Sequence, residues 1–305
     1  ALSIDTLRTA AALAPRLKLP PPRYRVCSAA GGELTLQNGM RLRTQKLPAA
    51  GDRSVWVLPG FGLDTPELLR TRMEDADARR LVRALARHVH AGGTVAASCS
   101  AVFFLQAAGL LAGRKATTTW WLAPLLQRLQ PDARVDADRM VCVDGPVTTA
   151  GAAFAQGDLM LHLLKRRFGN ELAQSVSRML LIDGRRAQAP YVAPEAMAGG
   201  DRLVARVCAR IEQALPDPPP VAQLARELHM SGRTLSRHVR SATGKSTLAL
   251  VQGVKLRCAR VLIETSRLTI EQIAERVGYR DSTALRRLMK KQAGANPSQY
   301  RPGRM

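Results

Sequence analysis

One helical pattern is written twice in the last third of the chain. Val221–His229 carries apolar residues at helical spacing, Met230-Ser231-Gly232 turns the chain, and Arg233–Ser241 is a second helix. Thr269–Val277, a turn at Gly278-Tyr279 and the helix Ser282–Ala293 repeat the arrangement. The copies align at Leu224-Ala225 with Ile273-Ala274, 49 residues apart, and at Arg237 with Arg287, 50 apart. A small Ala inside the first helix of each copy admits the second helix closely. Ser231 and Thr269 are hydroxyl caps, and Gly278 supplies a tight backbone turn. A single helix-turn-helix is a weak signal. Two of them, joined by the helix Thr247–Ile263, predict an all-α domain whose second helices are free to enter DNA grooves.

Charge agrees with that reading. The net charge is +22, and residues 201–305 hold 20 Lys and Arg against 8 Asp and Glu. Basicity per residue is about twice that of the rest of the chain, as a DNA footprint requires. Of the 46 basic residues 38 are Arg, in an Ala-rich chain, so charge supports a polyanion partner without defining it. Arg233 and Arg237 share a helical face, and Arg can bond guanine at two atoms. Arg240, Arg286, Lys290 and Lys291 read as phosphate contacts.

The length, 305 residues, makes two domains the natural expectation. A hydrophobic content of 46% excludes a disordered chain, and no apolar run approaches the roughly 18 residues of a membrane span. The first 200 residues alternate strands and helices. Helices are expected at 1–14, Pro66–Arg70, Ala76–Ala91, Ala101–Leu111, Ala123–Leu129, Gln156–Phe168 and Asn170–Leu181, and strands at Tyr24–Ser28, Glu33–Leu36, Ser54–Leu58, Thr94–Ser98 and Val147–Ala150. Val135–Asp136 and Met140–Val143 read as a hairpin. Such alternation means a parallel, helix-covered sheet. A Pro-, Gly- and Ala-rich stretch around 185–201 marks a linker, giving expected limits of 1–192, a linker at 193–201, and 202–305.

Cys99 stands at a sharp turn between the strand Thr94–Ser98 and a helix. Such an elbow exposes a side chain at the carboxyl end of a parallel strand, facing the positive end of a helix, where a thiolate is stabilised. A cysteine nucleophile also needs a His base and a group to orient it. The histidines are His88, His90, His162, His229 and His238; none follows Cys99 directly or sits in the loop after its helix. The expectation is therefore no catalytic residue. Ligands of open α/β sheets bind outside the carboxyl ends of the strands, which points to Gly60, Cys99, Ser100, Thr119, Trp120 and Gly151 as the lining of a small-molecule cleft. The five cysteines are odd in number and have no metal-like spacing, so they read as reduced thiols of a cytoplasmic protein. No secretory signal, metal or cofactor is expected.

Two resemblances sharpen this. SCSAVFFLQAAGLLAGRKATTTWW and TTAGAAFAQGDLMLHLLKRRFGNELAQ are similar to the DJ-1/PfpI-like, class I glutamine amidotransferase-like domain, in the version fused to AraC-type domains, over roughly residues 1–192. This implies a flavodoxin-like α/β sandwich. Thr119 stands where that family usually has His. A strand normally precedes the helix at 1–14, and in the enzymes it brings an acidic residue to support the Cys. The chain begins at Ala1 without it, so the sheet is expected to lack its first strand. MSGRTLSRHVRSATGKS and LRCARVLIETSRLTIEQIAERVGYRDSTALRRLMKKQAGANPSQYR closely resemble the AraC-type DNA-binding domain over about 205–302. Leu285 and Met289 replace common Phe residues, and Gly232 a frequent Pro. The resemblance assigns base contacts to Arg233, Ser236 and Arg237, and to Ser282, Thr283 and Arg287. It implies a sequence-specific transcription regulator whose N-terminal domain senses a small molecule or mediates dimerisation. The partners would be double-stranded DNA, a small-molecule effector, a second copy of the chain, RNA polymerase if the protein activates, and no membrane. The alternative is a cysteine-dependent amidotransferase- or hydrolase-like enzyme with a DNA-binding appendage. A His beside Cys99 and an acidic partner from a first strand would mark it, and the sequence contains neither.

Overall fold

The computed structural model describes residues 2–36, 39–49, 52, 54–182, 201–293 and 296–297, without the side chains of 264 and 291–293. The chain divides into two compact units, Ala1–Arg185 and Arg186–Met305. The expected linker at 193–201 lies outside the described residues except for Asp201.

Unit 1 opens with helix α1 (Leu2–Leu13). Strands β1 (Cys27–Ser28), β2 (Gly32–Thr35) and β3 (Arg41–Lys46) form a small sheet in the order β1-β3-β2. Then follow β4 (Val55–Leu58), α2 (Pro66–Glu74), α3 (Ala76–His90), β5 (Thr94–Ser98), a 3-10 turn at Cys99–Ala101 and α4 (Val102–Ala107). After them come β6 (Lys115–Ala116), α5 (Ala123–Leu129), β7 (Arg134–Val135), β8 (Val141–Asp144), β9 (Val147–Ala150), α6 (Ala155–Phe168) and α7 (Asn170–Met179). The main sheet runs β4-β5-β9-β8, with β4, β5 and β9 parallel and β8 antiparallel at an edge.

The residues of β5 explain its central place. Its side chains alternate between two faces: Val95 and Ala97 join the core made with α3, α4 and α5, while Ala96 joins Met140, Ala150, Ala155 and Leu159 on the α6 side. Small residues on both faces let helices pack closely above and below. A third apolar cluster, Ala10, Ala14, Leu164, Leu172, Ala173 and Val176, ties α1 to α6 and α7. The result is the flavodoxin-like sandwich. Among the described residues α1 is the first element and β4 is a sheet edge.

Several details differ from the sequence reading, two of them in the strands and how they pair. The strand at Val135 does not form a hairpin with Met140–Val143; it pairs parallel with β6, whereas β8 pairs with β9. The Arg41–Lys46 strand has no counterpart in that reading, because only Thr44 of it is buried and its charges hide the alternation.

Unit 2 consists of helices among the described residues: α8 (Arg202–Gln213), α9 (Val221–Glu227), α10 (Gly232–Thr243), α11 (Thr247–Thr265), α12 (Ile270–Arg276) and α13 (Ser282–Ala293). It has two cores. Leu224, Ala225, Leu235 and Val239 of the first helix-turn-helix pack with α8 and with Leu250 and Val254 of α11. Ile273, Ala274, Leu285 and Met289 of the second pack with Leu256, Ala259 and Ile263, further along α11. One helix is thus the shared spine of both copies.

Candidate nucleic-acid interface and sensory cleft

At the elbow Cys99 adopts a left-handed backbone (φ 54) that a side chain normally avoids. Three contacts impose it. The Cys99 N–H donates to the Gly151 carbonyl (2.8 Å), the Thr118 hydroxyl donates to the Cys99 carbonyl (2.7 Å), and Gly60 lies so close that a Cβ there would stand 2.8 Å from the Cys99 Cβ. The Ser100 hydroxyl accepts from the N–H groups of Phe61 and Leu63, tying the turn to the loop after β4. Behind it, the Ser98 hydroxyl donates to Gln156 Oε1 (2.6 Å), and Gln156 Nε2 donates to Ser3 of α1. Gln156 and Thr118 escape a reading of the sequence, since a Gln in the first turn of a helix and one Thr in a run of three carry no signal of their own.

The six expected cleft residues therefore meet only in part by direct contact. Gly60 and Gly151 touch Cys99, Ser100 is its neighbour, and Thr119 is fully buried close to the thiol. The Trp120 ring stacks edge-on against Trp121 (5.0 Å). The expected thiolate stabilisation is not met: burial pushes the Cys99 thiol up, outweighing the opposite influence of Ser100 and Thr119. The Thr119 hydroxyl is near enough to act on the sulfur but completes no hydrogen bond of ordinary geometry. Among the described residues no His hydrogen-bonds to the cysteine. His88 is instead buried and stacked on Trp56 (4.1 Å), with Gly93 packed against its ring.

In unit 2 the two second helices present matching faces. Leu235 and Val239 of α10 are buried, as are Leu285 and Met289 of α13, fifty positions on. Arg233, Ser236, Arg237 and Arg240 are exposed, as are Thr283, Arg286, Arg287 and Lys290; Ser282 is half-buried. Both helices have capped starts: Ser231 accepts from the Thr234 N–H (3.1 Å) and Asp281 from the Ala284 N–H (2.9 Å). Arg233, Arg237, Arg240, Arg287 and Lys290 make no ion pair among the described residues. Arg286 pairs with Glu271 of α12 (3.1 Å), and the side chain of Lys291 is outside the described set. Ser236 accepts a long bond from the Thr247 hydroxyl (3.5 Å).

The first turn differs from its sequence reading. Gly232 is already the first residue of α10, and the left-handed residue of the turn is His229.

Comparison with known proteins agrees with this two-part arrangement. Residues 23–166 match the DJ-1/PfpI family and residues 224–303 match a helix-turn-helix domain of AraC type. The HTH-type transcriptional regulator GlxA of Rhizobium meliloti (strain 1021) is 28% identical over 307 residues, covering 97% of this chain and 90% of that protein. The chain is an AraC-type transcriptional regulator with a DJ-1/PfpI domain. The regulator is also 27% identical over 285 residues to the HTH-type transcriptional regulator CdhR of Pseudomonas aeruginosa, covering 92% of this chain and 81% of that one. Over a shorter stretch, 85 residues, it is 40% identical to the ornithine utilization regulator of the same species, covering 28% and 25% of the two chains. No helix among the described residues is long and apolar enough to cross a membrane.

Proposed function

We propose that this regulator reads two successive major-groove segments of double-stranded DNA. Arg233, Ser236 and Arg237 contact bases in one, and Ser282, Thr283 and Arg287 contact bases in the other. Arg240, Lys290 and Lys291 hold phosphates, and Arg286 does so by leaving Glu271. The observation that carries this reading is the exposure of unpaired cations at matching positions of two helices whose opposite faces are buried. Helix α11, at 19 residues, is about 28 Å long, close to one duplex turn of about 34 Å.

Unit 1 is a non-catalytic sensor in this proposal. It takes a small molecule at the cleft of Gly60, Cys99, Ser100, Thr119, Trp120 and Gly151, in a protein of the cytoplasm that pairs with a second copy and, as an activator, with RNA polymerase. The domains run over 1–192 and 202–305, with the linker at 193–201. A raised thiol without a histidine partner favours sensing over chemistry. A metabolite panel followed by thermal melting and by DNA affinity tests it: a compound that shifts both supports sensing, and a panel that shifts neither removes it. The enzyme reading draws on one observation, the left-handed backbone that thrusts Cys99 out of its strand. It requires amidase or glyoxalase turnover that disappears in Cys99→Ala.

A further inference from the structure

Helix α3 carries four arginines, Arg79, Arg80, Arg83 and Arg87, on its outward side. At 3.6 residues per turn they fall within an arc of about 100°, opposite the buried Ala78, Ala84, Leu85 and His88. None of the four guanidinium groups makes a hydrogen bond or ion pair among the described residues. Six other arginines of unit 1 are paired. Arg25, Arg41, Arg70, Arg72, Arg114 and Arg139 each face a carboxylate within 3.5 Å. The acids nearest the start of α3, Asp75 and Asp77, are both taken by Arg72 (2.7 Å). Like charges three and four apart oppose a helix, so the stripe weakens the element that bears it, with no local pairing to offset the repulsion. Lys46 of β3 adds a fifth cation beside Arg80 and Arg87, in the lining of a groove that also includes Trp56.

We infer that this face of α3 is a second, sequence-independent DNA contact, through which unit 1 grips phosphates while unit 2 reads bases. From Arg79 to Arg87 the helix advances about 12 Å, a distance over which B-DNA presents about seven phosphate charges. Arginine's planar fork suits phosphate oxygens, and a row of arginines without base-reading partners adds affinity without selecting sequence. The inference rests on the reading of unit 2 as the DNA reader, and the experiment separates the two.

The full chain is compared with a variant in which Arg79, Arg80, Arg83 and Arg87 are all Gln, with a second in which all four are Lys, and with Arg237→Ala. Affinity for a selected site and for an unrelated duplex is measured against salt concentration. The Gln variant should bind both duplexes more weakly. Its log-affinity versus log-salt slope should flatten by about 0.9 for each phosphate no longer neutralised, about 3.6 if all four contacts are lost. Its base preference should be unchanged, the Lys variant should restore the slope, and the melting temperature should not fall. An unchanged slope in the Gln variant, while Arg237→Ala still weakens site binding, overturns the inference alone and leaves the stripe to an acidic protein partner. If Arg237→Ala has no effect either, the reading of unit 2 fails. A Gln variant that loses base preference along with affinity also overturns the inference, because the stripe would then be acting on sequence recognition.

Discussion

His229 and Gly278 hold the same place in the two helix-turn-helix copies. Both are left-handed (φ 56 and 77), and each begins its turn with the same pair of bonds. His229 N–H donates to Arg226 and Met230 N–H to Ala225, as Gly278 N–H donates to Glu275 and Tyr279 N–H to Ala274. The caps that follow, Ser231 and Asp281, are 50 residues apart rather than 49. The second turn therefore holds one extra residue, which is why the sequence repeat changes offset between its first and second helices.

The two sites should respond oppositely to substitution. His229 has a side chain where glycine is at ease, so His229→Gly should stabilise the chain by up to about 1 kcal/mol. Gly278→Ala should destabilise it by about 2 kcal/mol or more, since the added Cβ combines left-handed strain with a collision against the Pro216 carbonyl oxygen. Urea denaturation of the two variants measures both.

The caps offer a second test. Thr269 closes a capping box with Gln272: its hydroxyl accepts from the Gln272 N–H (3.2 Å), and Gln272 Oε1 accepts from the Thr269 N–H (2.8 Å). Thr269→Ala should cost about 1 kcal/mol, and Thr269→Ser should recover most of it in the same denaturation assay.

A pH dependence follows from Asp201. Burial alone would raise its carboxyl, but hydrogen bonds from the Val204 N–H and from His238 (2.6 Å) outweigh burial and hold it below the usual range. A depressed folded value means the stabilisation is fully present above the unfolded pKa, about 3.9, and is lost as pH falls through the folded one. The stability difference between the wild type and Asp201→Asn should shrink as pH falls below about 4. Denaturation midpoints at several pH values check this.

The Cys99 thiol, raised by burial, should alkylate with iodoacetamide at neutral pH much more slowly than an exposed thiol, and its rate should keep climbing above the ordinary thiol pKa. Mass spectrometry resolves each cysteine separately. Fast labelling of Cys99 at neutral pH would show an activated thiolate instead.

Much of this is legible in the residues. Thr94–Ser98, Ala123–Leu129 and Ser282–Ala293 have the limits their sequence suggests, because strong periodicity and nearby breakers coincide there. The exposure of Arg233 and Arg237 follows from the helical spacing of Leu235 and Val239. What escapes is nonlocal. Val135 finds β6 rather than the next strand, and the ion pair between Arg286 and Glu271 joins different helices. The sequence reading runs the first turn on through Gly232, which already belongs to α10, while His229 gives no sign of a left-handed backbone.

If two helices of one chain read two DNA segments, each must fix the bases of its own segment. Binding-site selection on the full chain, with Arg237→Ala and Arg287→Ala, measures this. Each variant should lose about 1–3 kcal/mol and relax base preference in one segment only, a different one for each. If both retained the wild-type affinity and preference, other elements would have to lie in the grooves.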